Sequence, residues 1–481
     1  MSIDIPQPPR RGLINPSTYR TGDESGTILL KVAVLAVLVG LWMIDSMEFR
    51  TLAGASMVLT FIDVKYPLIL KNIFLVYVFC LFILAGSYYF PDADDLLVDM
   101  LAYVSAFLIG YHVFGFNGVR RYRIPPSEQI SSREKTRQIR ILERMIKAFL
   151  LVPLALLAVQ LGTYGFSNYY AGVALADAIE VYANNGMAIN TFTIVNRSVD
   201  LFETALYVYY VFRCLQLGSR PSLRLLALLV VGVPLVSLHR GEVVCGCVFL
   251  AVVALFGRTR SNPKLMKWLL AATAGACVAI CAGVVIGQLR VDRLSGEAVS
   301  QFSTEEKLSN IVYGELSCVV MYVNIKRNID NIGYQYGRTI ALPLLFKPIP
   351  RNWIPDKPVN TSTFYMQLFE YKSYVAGYSL ASGIFSDVYL NFGWYGCLAA
   401  SALLGCATGR LDRIFVSGYL PGLPMYLLVH YNFYSLLRNN TGDVIGLMLI
   451  TIAAYLVLKH VFDDTVKRQT ARPTKCLWAD A

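Results

Sequence analysis

Long apolar runs recur along this chain and constrain its fold more than any other feature. A helix needs about 20 apolar residues to cross the hydrocarbon of a bilayer, and runs close to that length follow one another along the sequence. The candidate spans are 28–45, 51–66, 72–90, 96–117, 147–165, 199–217, 223–238, 241–257, 268–289, 389–409, 414–434 and 443–461. The pattern predicts an all-α integral membrane protein with about twelve transmembrane helices.

Composition agrees with a membrane protein and argues against a nucleic-acid-binding one. Of the 481 residues, 56% are hydrophobic and only 16% are charged, whereas a soluble domain carries about 25% charged residues. The formal net charge is +11, but the cations cluster in loops between apolar runs, with no accompanying basic and aromatic platform. Loop cations of this kind set the orientation of membrane helices, because cationic segments resist export.

The loop after the fourth span fixes the predicted orientation. Its cations place it in the cytosol: Arg120, Arg121, Arg123, Arg133, Lys135, Arg137, Arg140 and Arg144. Counting from that loop puts both termini in the cytosol, as tails 1–27 and 462–481, and puts the PDADD loop (91–95) outside. The N-terminal tail is polar and Pro-rich, which is typical of a cytosolic segment and not of a cleaved signal peptide.

Two outward loops stand out by length. The first nine spans lie within 28–289, and a secondary periplasmic loop, 166–198, interrupts them. A large periplasmic loop, 290–378, follows, and spans ten to twelve lie within 379–461. A segment as long as the second is usually a working surface and not a connector.

Within the large loop, the pattern predicts an amphipathic helix of about 25 residues that lies on, or packs against, the outer membrane-facing surface. Ser303 and Glu306 form a capping-box pattern, and apolar residues recur at steps of three and four as far as Val323. The cations Lys326, Arg327 and Lys372 are interpreted as a solvated charged face.

Cysteine and histidine give no sign of a metal site or cofactor. The ten cysteines are scattered, most of them inside apolar runs, where Cys is an ordinary buried residue. Only Cys318 falls in the large loop, so that loop cannot close a disulfide on itself. The four histidines lack the spacing of a zinc-ligand pair, and no metal or cofactor is expected.

One arginine lies where arginine is costly. Arg240 belongs to HRGE, between two short apolar runs, and a guanidinium in a membrane helix costs about 2.5–3.5 kcal/mol unless it meets an anion. Glu242 is a local candidate for that anion. The functional alternative is a bound diphosphate, because the planar guanidinium fork matches phosphate oxygens.

Further outward cations are candidates for diphosphate binding. They are Arg290, Arg293, Arg338, Arg351, Lys357 and, between the last two spans, Arg438. Arg351 and Lys357 belong to KPIPRNWIPDKP, whose prolines favour a stiff extended path that would hold both side chains over a cleft.

Two carboxylates are candidate general bases for a hydroxyl nucleophile. Asp387 lies at the outer end of the tenth span, and Glu370 lies upstream in MQLFEYKSYV. A salt bridge to one of the arginines is the structural alternative for Asp387. Trp353, Tyr365 and Tyr378 are candidates for stacking on sugar rings, and aromatics on this side equally fit an interfacial belt.

The chain contains no P-loop, no dinucleotide-binding glycine pattern and no DxD-type acidic pair in a cytosolic domain. Energy for a reaction on the outer side must therefore come from the substrate itself, because ATP and nucleotide sugars are cytosolic. A lipid-diphosphate-activated substrate meets that requirement.

In this order, the motifs resemble the Wzy-type polymerases of O-antigen and exopolysaccharide repeat units. The likeness rests on the twelve spans, the outer loops after spans five and nine, HRG, PIPRNWIPDKP and SDVYLNFGWYG. The resemblance implies a metal-independent glycosyltransferase of the bacterial inner membrane with a GT-C-related architecture. It would move the growing glycan from undecaprenyl diphosphate to the terminal sugar of an incoming lipid-linked repeat, with a chain-length regulator and a flippase as partners.

The resemblance also implies roles for the candidate residues. Asp387, or failing that Glu370, would accept the proton of the acceptor hydroxyl. The residues that would bind the diphosphate and stabilise the leaving group are Arg240, Arg290, Arg351 and Lys357.

Two alternatives stay open at the level of sequence. The related O-antigen ligases rely on a histidine in the large outer loop, and none occurs between Arg290 and Tyr378, which favours the polymerase over a ligase-like transferase. A flippase or transporter of the same lipid-linked sugars would place ionisable residues near the midplane and show internal repeats, whereas the candidate charges here lie mostly at the outer rim.

Overall fold

A computed structural model of the chain describes nine stretches of residues, with isolated positions between them. These are 68–86, 94–115, 132–152, 202–232, 240–255, 316–346, 357–371, 380–417 and 419–471.

All regular structure in the described part is helical, as the composition predicts. The helices are α1 (Leu70–Tyr77), α2 (Asp94–Ile109), α3 (Ser132–Phe149), α4 (202–216), α5 (Leu223–Ala227), α6 (Arg240–Leu255), α7 (Ser317–Ile332), α8 (Ala341–Phe346), α9 (Thr361–Phe369), α10 (Gly383–Ser417), α11 (Leu423–Arg438) and α12 (Thr441–Ala471). Wider π-helical turns continue α1 over Val78–Ala85, α2 over Gly110–Gly115 and α5 over Leu228–Gly232.

Three described helices are long and apolar enough to cross a membrane: Asp95–Gly115, Gly383–Ser417 and Thr441–Phe462. They correspond to the predicted fourth, tenth and twelfth spans. Shorter apolar helices cover Leu70–Ile83, Leu223–Gly232 and Cys245–Ala254, within the third, seventh and eighth predicted spans. The first and ninth predicted spans lie outside the described residues, and the total of twelve stays a prediction.

Helix α10 is longer than the sequence predicts at both ends. It begins at Gly383, before the predicted start at 389, and runs to Ser417. It therefore includes the first residues assigned to the eleventh span. It also includes Arg410 and Arg413, which were assigned to a loop. The helix extends beyond the predicted span because charged residues end the contact with hydrocarbon but are good helix formers.

A break divides α10 into two parts. Gly393 has φ 67° and ψ −163° inside the helix, a backbone conformation that L side chains rarely adopt. At about 1.5 Å per residue, the part after Gly393 measures about 36 Å, which is enough to span the hydrocarbon. The first part, 383–392, is therefore a separate short segment, and the protein buries its residues 383–391.

The backbones of α2 and α10 approach closely through small residues. A Cβ added to Gly405 would lie 2.0 Å from the carbonyl oxygen of Phe107, and one added to Gly110 would lie 2.0 Å from that of Ala402. Membrane helices pack in this way because small residues let their backbones come together. The contact fixes α10 against α2.

Helix α7, from the loop predicted to lie outside, packs against α10 through a buried face. Cys318, Met321 and Tyr322 are each 0% exposed. The helix extends past Val323, the last residue of the predicted apolar pattern, to Ile332. The capping-box residues Ser303 and Glu306 lie outside the described residues.

The interpretation of Lys326 as part of a solvated face was wrong. Its Nζ lies 2.6 Å from Oδ2 of Asp99 and 3.3 Å from Oδ2 of Asp95, and Asp99 is only 5% exposed. Tyr322 donates a second hydrogen bond to Oδ2 of Asp99 at 2.7 Å. Burial, together with Tyr103 and Asp99, raises the pKa of Tyr322, so its hydroxyl keeps the proton that it donates. A buried carboxylate needs such partners, and they attach α7 to the first turns of α2.

Candidate functional site

Asp387 lies in the middle of the buried segment 383–391. It is 1% exposed, and every residue from Ser382 to Asn391 is buried. The segment begins at Gly383, with φ +70°, where an added Cβ would lie 2.9 Å from Cβ of Cys318 in α7. Glycine is required there both by backbone conformation and by space, so the entry into α10 is tightly positioned.

The two oxygens of the Asp387 carboxylate differ. Oδ2 accepts a hydrogen bond from the backbone N–H of Thr441 at 2.5 Å, and a carboxylate at the first residue of α12 is favoured by the helix dipole. Oδ1 is buried and has no hydrogen-bond partner in the part of the chain that the structure describes. The hydroxyl groups of Ser382, Thr441 and Thr361 lie close to the carboxylate. One oxygen is therefore held, whereas the other is covered by protein and has no hydrogen bond of its own among the described residues.

One helical turn after Asp387, Asn391 connects α10 to the loop 333–340. Its Nδ2 donates to the carbonyl oxygen of Asp387 and to Oγ1 of Thr339, both at 2.7 Å. Thr339 in turn shares a hydrogen bond of 2.9 Å with Thr361, at the start of α9. The backbone N–H of Tyr336 also donates to the carbonyl oxygen of Asn391 at 3.0 Å. These contacts hold the loop against the segment that carries Asp387.

A second set of hydrogen bonds joins the start of α9 to the start of α12. Asn360 caps α9 by accepting from the N–H of Thr363 at 2.9 Å, and it donates to Oδ2 of Asp443 at 2.9 Å. Oδ1 of Asn440 accepts from the N–H of Ser362 at 3.2 Å and from Oγ of Ser382 at 2.9 Å. The starts of three helices, α9, α10 and α12, thus meet at one polar cluster.

Three of the predicted cations lie on the segments that form this cluster. Arg338 precedes Thr339 and is exposed. Lys357 lies three residues before the cap of α9 and is half-buried. Arg438 is the last residue of α11, two residues before Asn440. Arg438 also interacts electrostatically with Tyr77 and Cys318, which surround Gly383. The fold therefore brings together segments that carry cations as much as 100 residues apart in the sequence.

Two other predicted residues lie away from Asp387 or are covered. Glu370 follows the far end of α9 and is half-buried. Tyr365 is 2% exposed, its hydroxyl accepts a hydrogen bond from Asn324 at 2.7 Å, and its ring lies 4.8 Å from that of Phe369. Because no ring face of Tyr365 is exposed, it would have to move to stack on a sugar.

The remaining predicted site residues cannot be located relative to this cluster. Arg240 is the first residue of α6, and its side chain is outside the description. The others lie outside the described residues: Arg290, Arg293, Arg351, Trp353 and Tyr378. In the described part of the chain, no group of three or more His, Cys, Asp or Glu residues could hold a metal ion.

Sequence reasoning missed the polar residues of the cluster around Asp387. Asn391, Thr339, Thr361 and Asn440 were not singled out, because polar residues in or near apolar runs are common and their pairing is long-range. A usable signal was the SDVYLN pattern, in which Asp387 and Asn391 are four residues apart and so share one face of a helix.

A comparison with protein families decides the class of the molecule. The model of the family described as "O-antigen polysaccharide polymerase Wzy" matches residues 56–468. The chain belongs to this family. The resemblance inferred from the sequence motifs is thereby confirmed, and the matched range includes α1 to α11 and nearly all of α12.

Membership of the Wzy family makes the chain a membrane protein of the polysaccharide polymerase class, from the bacterial inner membrane. Among the alternatives, it favours the polymerase over the ligase and the transporter. Comparisons with curated proteins and with solved structures gave no significant match. Within the Wzy family assignment, the roles of individual residues rest on the geometry given above.

Proposed function

We propose that this Wzy-family protein polymerises oligosaccharide repeat units linked to undecaprenyl diphosphate, as a GT-C-type glycosyltransferase acting on the outer side of the inner membrane. The family match supports a polysaccharide polymerase. The need for a substrate that carries its own activation, on a side without nucleotides, supports the lipid diphosphate as donor.

The observation that carries the proposal is the unequal environment of the two Asp387 oxygens. Asp387 is 1% exposed, and a buried polar group without a hydrogen bond costs about 1–3 kcal/mol. A buried carboxylate that only stabilised the fold would therefore be expected to have hydrogen bonds on both oxygens. Oδ1 of Asp387 lacks such a bond among the described residues, and this supports a proton acceptor that a substrate hydroxyl reaches once the residues covering it move.

In the proposed reaction, Oδ1 of Asp387 accepts the proton of the acceptor sugar's hydroxyl. The resulting oxygen nucleophile attacks the anomeric carbon of the donor glycan, whose bond to the diphosphate oxygen breaks. Undecaprenyl diphosphate leaves with the bonding electron pair, and the proton remains on Asp387 until it passes to solvent or to the leaving group. Positioned general bases contribute about 10²–10⁴-fold to rate.

The cations would stabilise the charge that develops on the departing diphosphate. Three of these cations lie on segments of the cluster: Arg338, Lys357 and Arg438. A second set comes from the start of α6 and from outside the described residues: Arg240, Arg290, Arg293 and Arg351. Guanidinium groups suit this task because they donate two parallel hydrogen bonds to phosphate oxygens.

The contact between α7 and α2 supports the proposed orientation. Lys326, in the large loop, pairs with Asp95 and Asp99 at the beginning of α2, directly after the cation-free PDADD loop. A shared side for these two loops agrees with an outward large loop and with cytoplasmic termini.

Reconstitution of the purified protein with a lipid-linked repeat unit tests the proposal. We expect a ladder of lipid-linked products and release of one undecaprenyl diphosphate per linkage, without added nucleotide or metal. Transfer of a single glycan to a lipid A acceptor would indicate a ligase, and movement of the substrate between leaflets without chain growth would indicate a transporter. Either result would contradict the proposal.

A further inference from the structure

Helix α3, which the proposed reaction does not use, has two opposite faces. It contains six cations and two carboxylates in 18 residues. Gln138, Leu142 and Ile146, spaced four apart, are buried at 5%, 6% and 1%. At 100° per residue, the exposed side directly opposite is a cationic stripe, defined as Arg137, Arg140, Arg144 and Lys147.

The carboxylates of α3 do not neutralise the cationic stripe. Glu143 accepts a hydrogen bond from the hydroxyl of Tyr210 in α4 at 3.2 Å, and Glu134 accepts one from Gln138 at 3.3 Å. In the described part of the chain, no hydrogen bond or ion pair is formed by any of the four stripe cations. The stripe is therefore a surface of net positive charge whose cations form no ion pair among the described residues.

The end of α3 coincides with the boundary between polar and apolar sequence. Lys147 is its last cation, and the exposed residues that follow are apolar, with Leu151 66% and Leu154 43% exposed. Exposed leucines next to exposed cations are expected where a helix passes from the headgroup layer into hydrocarbon. Lys147 and Arg144 then lie at the level of lipid phosphates.

An apolar cavity opens beside the same end of the helix. It has a volume of about 100 Å³ and is lined by Met145 and Phe149 of α3, Phe202 and Leu206 of α4, and Leu458 and Phe462 of α12. Cavities with apolar walls do not hold water but do take up apolar molecules. In a membrane, the available occupant is a hydrocarbon chain.

We propose that the end of the stripe and the cavity together bind one anionic phospholipid of the surrounding membrane, with its headgroup phosphate on Arg144 and Lys147, part of one acyl chain in the cavity, and Arg137 and Arg140 adding to the attraction. Charge complementarity selects the headgroup, because each Lys or Arg near a membrane surface attracts anionic lipid. The apolar lining selects the acyl chain. The site is separate from the Asp387 cluster and does not depend on the proposed polymerase activity.

Lipid retention by the purified full-length protein tests this site. The protein is delipidated in detergent, titrated with dioleoyl phosphatidylglycerol or with dioleoyl phosphatidylcholine, and the bound lipids are counted by native mass spectrometry. We expect one phosphatidylglycerol to bind tightly and phosphatidylcholine to bind at least about tenfold more weakly. Equal binding of the two lipids would overturn the proposal.

Charge-neutral variants locate the site. The variant R137Q/R140Q/R144Q/K147Q should lose at least about tenfold in affinity for phosphatidylglycerol, whereas R137K/R140K/R144K, which keeps the charge, should retain it. The matched control R220Q/R224Q/R410Q/R413Q removes the same charge from other positions on the predicted cytosolic side and should bind normally. Equal losses of phosphatidylglycerol affinity in the two glutamine variants would mean that the net charge of the protein alone determines binding. That result would contradict a specific site on α3.

A cavity-filling variant and a competitor complete the test. Leu458→Trp, which keeps every cation, should weaken phosphatidylglycerol binding but should not weaken binding of a short-chain, water-soluble phosphatidylglycerol. Displacement of phosphatidylglycerol by an equimolar polyprenyl phosphate would assign the site to the lipid carrier and overturn the phospholipid assignment. Unchanged binding in both Leu458→Trp and the stripe variant would show that the site is elsewhere.

Discussion

Helix α10 carries two buried aspartates, one near each end, and their surroundings differ in one respect. Asp412 is 0% exposed and caps the start of α1, with Oδ1 accepting from the N–H of Leu70 at 2.9 Å and Oδ2 from the N–H of Lys71 at 3.1 Å. Asp387 caps the start of α12 with one oxygen only, and its other oxygen has no partner among the described residues.

The comparison shows that burial alone does not identify a reactive carboxylate. Both aspartates stabilise the first turn of another helix, as side-chain oxygens at helix starts commonly do. Both oxygens of Asp412 are engaged by backbone N–H groups of α1, which indicates a structural role. Asp387 retains an acceptor position, and the cation-bearing segments converge on it.

The largest expected effect separates the two aspartates by activity. Asp387→Asn should slow polymerisation about 10²–10⁴-fold, because asparagine can still cap α12 but cannot take a proton. Asp412→Asn should retain most of the activity. Elongation rates of the two purified variants, with helix content from circular dichroism as a check on folding, provide the measurement. Similar rates for both variants would remove the distinction between the two sites.

The next effect concerns the cations around Asp387. Arg338→Gln should slow elongation by about 10²-fold, because a donor that stabilises the developing charge on the diphosphate is lost. Since Arg338 is exposed, the variant should fold normally. Arg327→Gln, an exposed cation on α7, is the matched control and should have little effect. Equal rates in the two variants would exclude Arg338 from the site.

A smaller effect, on stability and not on rate, is expected at Asp412. Asp412→Ala leaves the N–H groups of Leu70 and Lys71 without their acceptor in a buried position, which should cost about 2–4 kcal/mol in unfolding free energy. Thermal unfolding in detergent measures the loss, and the elongation rate at a temperature where the variant is folded should be near that of the unchanged protein. A slow but stable variant would mean that Asp412 takes part in the reaction.

The smallest expected effect tests the attachment of α7 to α2. Lys326→Met removes the ammonium group from Asp99 and should destabilise the protein by about 1–2 kcal/mol, a reduced cost because Lys326 is partly exposed at 24%. Arg327→Met is the control on the same helix. If both methionine variants unfold at the same temperature as the unchanged protein, the ion pair does not hold the outer-loop helix in place.

Sequence reasoning succeeded where local pattern determines structure. Long apolar runs predicted α2, α10 and α12 as membrane helices, and Asp387 was selected because a carboxylate at a membrane edge is costly without a purpose. The small-residue contact between α2 and α10 also had a readable signal, since GCATG at 405–409 places Gly405 and Gly409 on one face.

Long-range partners could not be predicted in this way. The pairs Asp387 with Thr441, and Lys326 with Asp99, are separated by 54 and 227 residues, and one sequence contains no record of such contacts. The break at Gly393 was missed for a different reason. Glycine is ordinary in membrane helices, and only the backbone shows that this one has a positive φ.

The central claim is that Oδ1 of Asp387 receives the acceptor hydroxyl. An experimental structure of the Asp387→Asn protein with a bound lipid-linked repeat unit tests it most directly. The account predicts the terminal sugar's hydroxyl within about 2.6–3.2 Å of the substituted side chain at position 387, with the diphosphate against Arg338, Lys357 or Arg438. A sugar bound with its hydroxyl on Glu370, or remote from position 387, would contradict the account.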